Sequence, residues 1–321
     1  MAIATTWVPR ENFMTDISIC IVTLNCWNVL KDCLDSLQLS KPYVDFETIV
    51  VDNNSNDNTP ALINNYFSDV CVISNSVNVG FTKATNQAIE MSKGKYILWL
   101  NPDTIVRKDS LSKLIGFLEI TPKAGIVGPK VLNADGTFQP QCKRGIPTPV
   151  AYISYGLKLD RLFPNNPYLG QYLLTYLPDD KAAKVGSVSG CCLMARREVW
   201  SDIGPLDESI FAFGEDLDWC MRAQEKGWEV WYYPESEIIH LKGQGGAHFK
   251  PYYKIRSMHE SFWIIYCKHL RKNYSWAITL LFKICIEGNL ILSLIRTKLQ
   301  KLRYYILTMS KSAVSQSKKS F

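Results

Sequence analysis

The chain has 321 residues, 47% of them apolar, and a formal net charge of +6. That is enough apolar chain for one large α/β domain with an appendage, and it excludes a globally disordered protein. From Lys268 to Phe321 there are eleven Lys or Arg against one acid, Glu287, whereas the preceding chain holds 25 basic and 29 acidic residues. A slightly acidic body with a basic tail points to an anionic partner at the tail, either a membrane surface or a nucleic acid. The ten cysteines lie in apolar strand-like runs and include no Cys-x-x-Cys pair. Buried free thiols in a reducing compartment are therefore expected, not a zinc ribbon or a disulfide framework. Met1 to Met14 reads as a loose polar arm with no signal-peptide run, which implies a cytoplasmic location.

In chain order, Ile17 to Leu24 is a β-branched apolar run and predicts a buried strand, and Leu30, Leu34 and Leu37 recur at helical spacing over 28–39. A second strand, Phe46 to Val51, ends in Asp52-Asn53-Asn54-Ser55, and Thr59-Pro60 reads as N-cap and first helical residue. A third strand over 70–73, a helix over 81–92 closed by Gly94, a fourth strand over 96–100 and a helix over 110–120 capped by Asp109 follow. Repeated β–α units of this length predict a mostly parallel sheet covered on both faces. Residues 135–180 show little periodicity and read as long loops. A strand is expected near 187–195, a helix over 216–226, two edge strands over 228–233 and 236–241, and helices over the last eighty residues.

Ligands of an open α/β sheet sit beyond the carboxyl ends of its strands. Three polar clusters fall at such ends: Thr23-Leu24-Asn25, Asp52-Asn53-Asn54-Ser55 and Asn101-Pro102-Asp103-Thr104. Turn chemistry alone accounts for any one of them; three in a row point to a shared crevice. Asp103 follows its strand directly and is a candidate ligand for Mg²⁺ or Mn²⁺ against a diphosphate. Neither a Walker A nor a Gly-x-Gly-x-x-Gly loop occurs, so a metal or side chains must neutralise phosphate; Lys83 is a candidate cation, its alternative a solvated helix lysine. Gly214-Glu215-Asp216-Leu217-Asp218-Trp219 places three acids in one helical turn. The helix dipole favours acids there, and Asp218 and Arg222 fit an i,i+4 pair. The functional alternative is a general base taking a proton from a hydroxyl, with Trp219, Phe211 and Phe213 as a flat surface for a ring. His240 ends a short strand before the Gly-rich stretch 242–246, a setting that suits a site-lining residue.

Together these residues resemble glycosyltransferase family 2, with its GT-A fold, over about residues 16–242. Ile-Cys-Ile-Val-Thr-Leu-Asn is similar to the family's first strand, Val-Val-Asp-Asn-Asn-Ser-Asn-Asp to its nucleoside-binding turn, and Asn-Val-Gly-Phe-Thr-Lys-Ala-Thr-Asn-Gln-Ala to the segment after its third strand. Asn101-Pro102-Asp103 stands where the family has Asp-x-Asp, and Gly-Glu-Asp-Leu-Asp-Trp-Cys where it has its Glu-Asp motif. The Asn-Pro-Asp form and Val188-Ser189-Gly190-Cys191-Cys192 resemble the rhamnosyltransferase subgroup, which transfers deoxysugars onto cell-surface polysaccharide precursors. The resemblance implies that Asp52 contacts the nucleotide base, Asp103 binds metal, Asp216 is the catalytic base with Glu215 beside it, and His240 helps hold metal or diphosphate. The donor site would include Thr23, Asn25, Asn54, Lys83 and Asn101, and the acceptor site Trp219 and Phe213. Asn101 replaces the first acid of Asp-x-Asp and leaves one fewer carboxylate for a metal.

The expectation is an α/β, GT-A domain at 15–242 after an arm at 1–14, with a helical, basic, membrane-facing extension at 243–321. It would act as an inverting enzyme that takes a nucleotide-sugar donor and a glycan or lipid-linked acceptor. It would sit on the inner face of the membrane and bind no nucleic acid; homo-oligomerisation is left open. The rivals are a nucleotide-sugar-binding protein without turnover and a basic-tailed nucleic-acid binder. The stretch Trp276 to Ile295 is apolar but holds Lys283 and Glu287 on one helix face, opposite a stripe of Leu280, Leu281, Ile284, Gly288, Ile291, Leu292 and Ile295. With cations on both flanks, that pattern predicts a helix lying on an anionic membrane surface, the alternative being a helix packed on the catalytic domain or on a dimer partner.

Overall fold

Alternate residues of the first strand bury on opposite sides, and this sets the layering. In β1 (Ile17–Thr23), Ile17, Ile19 and Ile21 join one apolar cluster while Cys20 and Val22 join another. A strand buried on both faces must lie inside a sheet covered by helices on both sides. α1 (Trp27–Gln38) puts Leu30, Leu34 and Leu37 into the first cluster. After β2 (Phe46–Asp52), α2 (Thr59–Tyr66) adds Ile63 to the same side. After β3 (Val70–Ser74), α3 (Phe81–Met91) sends Ala84, Ala88 and Ile89 to the other side. β4 (Tyr96–Leu100) is buried throughout.

The computed structural model describes the backbone of residues 15–245 and 251–317 and the side chains of 15–245 and 252–301. The expected N-terminal arm and Gly246 lie outside the described residues. The chain divides into two compact units, Met1–His248 and Phe249–Phe321.

In the first unit the chain continues through β5 (Thr104–Val106), α4 (Ser110–Ile120), β6 (Ala124–Leu132), β7 (Lys143–Arg144), α5 (Pro149–Gly156) and α6 (Leu159–Leu162). It then runs through β8 (Ala183–Lys184), β9 (Ser187–Val188), β10 (Cys192–Arg196), α7 (Arg197–Ile203), α8 (Glu215–Glu225) and β11 (Glu229–His240). The nine-stranded sheet has the order β3-β2-β1-β4-β10-β6-β11-β5, with β8 paired to β11, and β7 pairs with β9 apart from it. β1, β2, β3, β4, β6 and β11 share one direction; β10, β5 and β8 run against them. The register pairs Thr23 with Asp52 and Asp52 with Ser74, so the polar ends of β1, β2 and β3 lie in one row.

Local expectations shift in several places. Gly94 does not close α3; a Cβ there would meet the Ser18 backbone nitrogen at 2.5 Å, so glycine serves the close approach to β1. Asn58, left-handed at φ 58°, precedes α2, and Thr59 already lies inside it. Asp109 precedes α4 but makes no side-chain cap; its carboxylate pairs with Lys113 at 2.7 Å. The loop region contains α5, whose Thr148 accepts a hydrogen bond from the Ala151 N–H with Pro149 at the start, a cap signal that its sequence did carry. The strand expected near 187–195 is two, β9 and β10, split at the Ser189–Cys191 turn. The two expected edge strands are one, β11, with a register shift between Tyr233 and Glu237; it is flanked by β6 on one side and by β5 and β8 on the other.

The second unit is helical: α9 (Pro251–Ile265), a π turn and a 3₁₀ turn over Tyr266–Asn273, and α10 (Trp276–Ser317). Phe282 and Ile286 of α10 are buried, and Tyr266 packs on Phe282 with ring centroids 4.7 Å apart. At 100° per residue the opposite face carries Leu281, Ile284, Ile291, Leu292 and Ile295, each about half exposed. Trp276–Lys301 is long and apolar enough to cross a bilayer, the one such helix among the described residues. All ten cysteines are free, eight of them buried.

Candidate active site

The row of strand ends carries the first group. Asp52 is buried; its Oδ2 accepts the Ser55 N–H at 2.9 Å, and its Oδ1 has no partner. Burial raises its pKa. Asn25, at φ 51°, and Asn54, at φ 73°, are exposed turn residues. Asn25 accepts the Asn56 N–H and donates its own N–H to Ser55 Oγ, which ties the β1 turn to the β2 turn. Thr23 is buried with its hydroxyl 3.1 Å from Cys26 Sγ, so it positions the turn from inside. Asn53, a member of the second polar cluster with no role assigned to it from sequence, is the buried hub: it donates to Asn78 Oδ1 and accepts the Val79 N–H, fixing the approach to α3. Lys83 is exposed in the first turn of α3 and makes no ion pair among the described residues. Its neighbour Thr82 donates to the Ile210 carbonyl, which brings that turn beside the loop leading into α8.

The second group forms where β4 ends. Asp103 is 2% exposed. Its Oδ2 accepts the N–H groups of Gln244 and Gly245, both at 3.0 Å, and its Oδ1 lies 3.3 Å from His240 Nε2. Burial alone would raise Asp103, but His240 and the Gln244 N–H hold it below its usual value. Burial pulls His240 down; Cys191 and Asp103 outweigh it and push the imidazole up to about 10. The other ring nitrogen has a partner absent from the sequence reading. Gln139 Nε2 donates to the Leu132 and His240 carbonyls, so its Oε1 must accept from His240 Nδ1 at 3.2 Å. This leaves Nε2 facing Asp103, the arrangement that orients a metal-binding imidazole. Asn101 Nδ2 is 3.5 Å from the same Nε2.

A Mg²⁺ or Mn²⁺ ion keeps several positions for water and phosphate oxygens and needs few protein ligands. Asp103 Oδ1 with His240 Nε2 fits that requirement once an ion takes the place of the imidazole proton between them, although no group of three or more His, Cys, Asp or Glu suited to a metal occurs among the described residues.

The acidic turn of α8 is the third group. Phe213 (φ 68°) and Gly214 (φ 112°) both take left-handed backbone to enter the helix, a strained approach at Phe213. Asp216 Oδ2 accepts from Arg144 Nη2 at 2.7 Å and from the Gly190 N–H at 2.8 Å, and Oδ1 accepts the Leu217 N–H. Arg144 also donates to the Val188 carbonyl, and its Nε has no partner. Glu215 is buried with Oε2 unpartnered; burial first and Asp216 second push it up to about 8. Asp218 makes the i,i+4 pair with Arg222 at 2.9 Å. Trp219 differs from its expected role. It is 2% exposed, its Nε1 donates to the Gly204 carbonyl, and its ring packs near Trp200, so the core takes the surface expected for a sugar. Phe213 is half-buried, and Phe211 is exposed over Gly80, where a Cβ would come within 2.6 Å of its ring.

One turn joins the second and third groups. The Gly190 N–H holds Asp216, while the Cys191 carbonyl accepts the Asn101 N–H at 3.0 Å and its thiol hydrogen-bonds His240. A Cβ on Gly190 would lie 2.8 Å from the Trp99 ring, so only glycine allows the turn to sit this close to β4. Asp103, His240 and Asp216 are thus organised around Ser189–Cys191. Arg144 and Gln139 come from a region without sequence periodicity, and only tertiary contact reveals them.

Comparison with known proteins finds matches in sequence and in fold. The sequence profile of glycosyl transferase family 2 matches residues 18–204, and that of glycosyl transferase family group 2 matches residues 176–314. The N-acetylglucosaminyl-diphospho-decaprenol L-rhamnosyltransferase of Mycobacterium tuberculosis is 27% identical over 274 residues, covering 78% of this chain and 87% of that protein. The mannosyltransferase PcManGT of Pyrobaculum calidifontis, solved with GDP-Man and Mn²⁺, shares the fold with a TM-score of 0.57 at 13% identity, over 92% of this chain and 78% of that one. TarS of S. aureus gives 0.54 at 16% identity over 81% of this chain, which spans 44% of TarS.

Proposed function

The chain belongs to glycosyl transferase family 2, and from that premise we propose that it moves a sugar from a nucleotide sugar to a hydroxyl of a lipid-linked or polysaccharide acceptor in cell-surface glycan synthesis, inverting the anomeric carbon. The observation that carries this reading is the Ser189–Cys191 turn, which holds Asp216 through the Gly190 N–H and meets the Asn101 end of β4 through the Cys191 carbonyl, on the side where Asp103 pairs with His240. The acceptor O–H gives its proton to Asp216, its oxygen bonds to the anomeric carbon, and the bond to the diphosphate breaks with its electron pair leaving on the nucleoside diphosphate. A single displacement of this kind inverts. Glu215 and Asp216 have environments that separate their roles. Burial keeps Glu215 protonated below about pH 8, so it adds no second negative charge, and the Arg144 guanidinium pairs with Asp216 and orients it.

Asp103 and His240 would hold Mg²⁺ or Mn²⁺, which when bound neutralises charge on the diphosphate. The single acid of Asn101-Pro102-Asp103 leaves Asp103 as the one carboxylate of that motif that would hold the ion. The unpartnered Asp52 Oδ1 offers an acceptor to the N–H of a nucleotide base, with Asn25, Asn54 and Lys83 around the same donor end. The name of the mycobacterial relative supports a deoxysugar donor and a polyprenyl diphosphate-linked acceptor. Such an acceptor suits a peripheral protein on the cytoplasmic face, with the apolar face of α10 laid on the membrane surface.

Nucleoside diphosphate release, measured across a panel of nucleotide sugars with a polyprenyl diphosphate-linked acceptor, tests the reading. Acceptor-dependent release from one donor, with an inverted linkage in the product, is expected. Donor binding without release would reduce the chain to a binding protein. Asp103→Ala should weaken donor binding and abolish its dependence on Mn²⁺; equal donor affinity of the wild type with and without chelator would remove the metal.

A further inference from the structure

Where α9 turns into α10, a cavity of about 450 Å³ is lined by Trp263, Arg271, Tyr274, Trp276, Thr279 and Lys283. Its volume falls within the range of small-molecule sites. Its lining joins two cations to three aromatic rings and includes no carboxylate. Neither cation forms an ion pair among the described residues; Lys283 Nζ instead stands 5.2 Å from the centre of the Trp263 ring. The backbone here leaves the α-helix for π and 3₁₀ turns over Tyr266–Asn273, an irregularity frequent at functional sites. Between 251 and 301 there are nine Lys or Arg and two Glu. The exposed apolar face of α10 begins at the cavity, where Trp276 is 80% exposed.

We propose that this cavity binds the phosphate headgroup of an anionic glycerophospholipid. The inference rests on the membrane-surface reading of α10 and names what anchors it. Arg271 and Lys283 supply charge-assisted hydrogen bonds to the phosphate oxygens. Trp263, Tyr274 and Trp276 occupy the headgroup level, where amphipathic rings partition. The acyl chains then run along Leu280, Ile284 and Ile291, which share the exposed side of α10. Aromatic walls, paired cations and an adjoining apolar stripe match a ligand with an anionic head and an apolar tail, whereas a soluble phosphate leaves the stripe in water.

The test compares full-length wild type with two double variants that remove equal charge, R271Q/K283Q at the cavity and R296Q/K298Q farther along α10. Binding is measured by flotation on vesicles of phosphatidylglycerol in phosphatidylcholine, after thermal unfolding has shown both variants folded. The cavity pair should lose at least ~10-fold more affinity than the distal pair, since only the cavity pair removes the charge-assisted hydrogen bonds to the phosphate. Equal losses overturn the cavity site and leave the membrane reading standing. No binding of wild type to these vesicles removes the membrane reading, and the headgroup site with it. Inorganic phosphate should release wild type no more than sodium chloride of the same ionic strength does; selective release by phosphate assigns the cavity to a soluble anion and overturns the lipid.

Discussion

Asp216 has three of its acceptor positions filled, by Arg144, Gly190 and Leu217. A carboxylate has about four, so one remains for an acceptor hydroxyl, and the fixed three prevent the side chain from turning away. Asp216→Asn keeps the shape and loses the proposed base: turnover should fall ~10²–10⁴-fold while donor affinity stays near wild type. Near-normal turnover in that variant would move the base elsewhere. Glu215 gives an independent check on the pair. Its pKa rises from 4.5 to about 8 in the folded chain, so between those values the folded chain binds a proton that the unfolded chain has released. Stability must then fall as pH rises through that window, by at most ~1.4 kcal/mol per pH unit for one proton, and level off above it. Glu215→Gln has no proton to lose. The wild-type melting temperature should therefore drop relative to that variant between pH 5 and pH 8; parallel curves would mean that Glu215 is ionised throughout.

At the scale of elements, the Ser189–Cys191 turn links the acidic turn of α8 to the end of β4. Gly190→Ala puts a methyl group 2.8 Å from the Trp99 ring, and β10 or Trp99 must shift to admit it. Because Asp216 takes a hydrogen bond from the Gly190 N–H, the shift reaches that carboxylate directly. A stability loss of ~1–3 kcal/mol from overpacking should accompany a fall in kcat larger than any rise in KM for the donor. A variant with unchanged kcat would confine the turn to a packing role. β1 to β4 and their helices were legible in the sequence because burial on both faces writes continuous apolar runs, and the carboxyl-end clusters mark the crevice between them. β11 read as two strands because Pro234 and the register shift interrupt its pattern. Trp219 read as a sugar platform because spacing places it beside the acids but carries no sign of the Trp200 side of the core. Gln139 and Arg144 left no trace, since their roles depend on partners 101 and 72 residues away.

At the scale of the molecule, a catalytic unit is followed by a helical unit whose long helix exposes its apolar side. Leu281, Ile284, Ile291 and Ile295 are each 49–59% exposed, on the side of α10 turned away from Phe282 and Ile286. Burying one such side chain is worth about 1.5–3 kcal/mol, so four of them on a bilayer dominate the binding energy. The quadruple variant L281Q/I284Q/I291Q/I295Q changes only exposed positions and should fold normally. It should move from the membrane to the soluble fraction, with a loss of vesicle affinity above ~100-fold. Its activity on a lipid-linked acceptor should fall further than its activity on a short soluble one, because the catalytic unit is untouched and only its delivery to the bilayer changes. Lys283 and Glu287 separate a helix lying on the surface from one crossing it, since a charge at the bilayer centre costs at least ~2.5–3.5 kcal/mol. A surface helix is released from membranes by alkaline carbonate, and full-length protein should appear in that wash. Retention in the pellet would instead make Trp276–Lys301 a spanning segment and replace peripheral attachment by insertion.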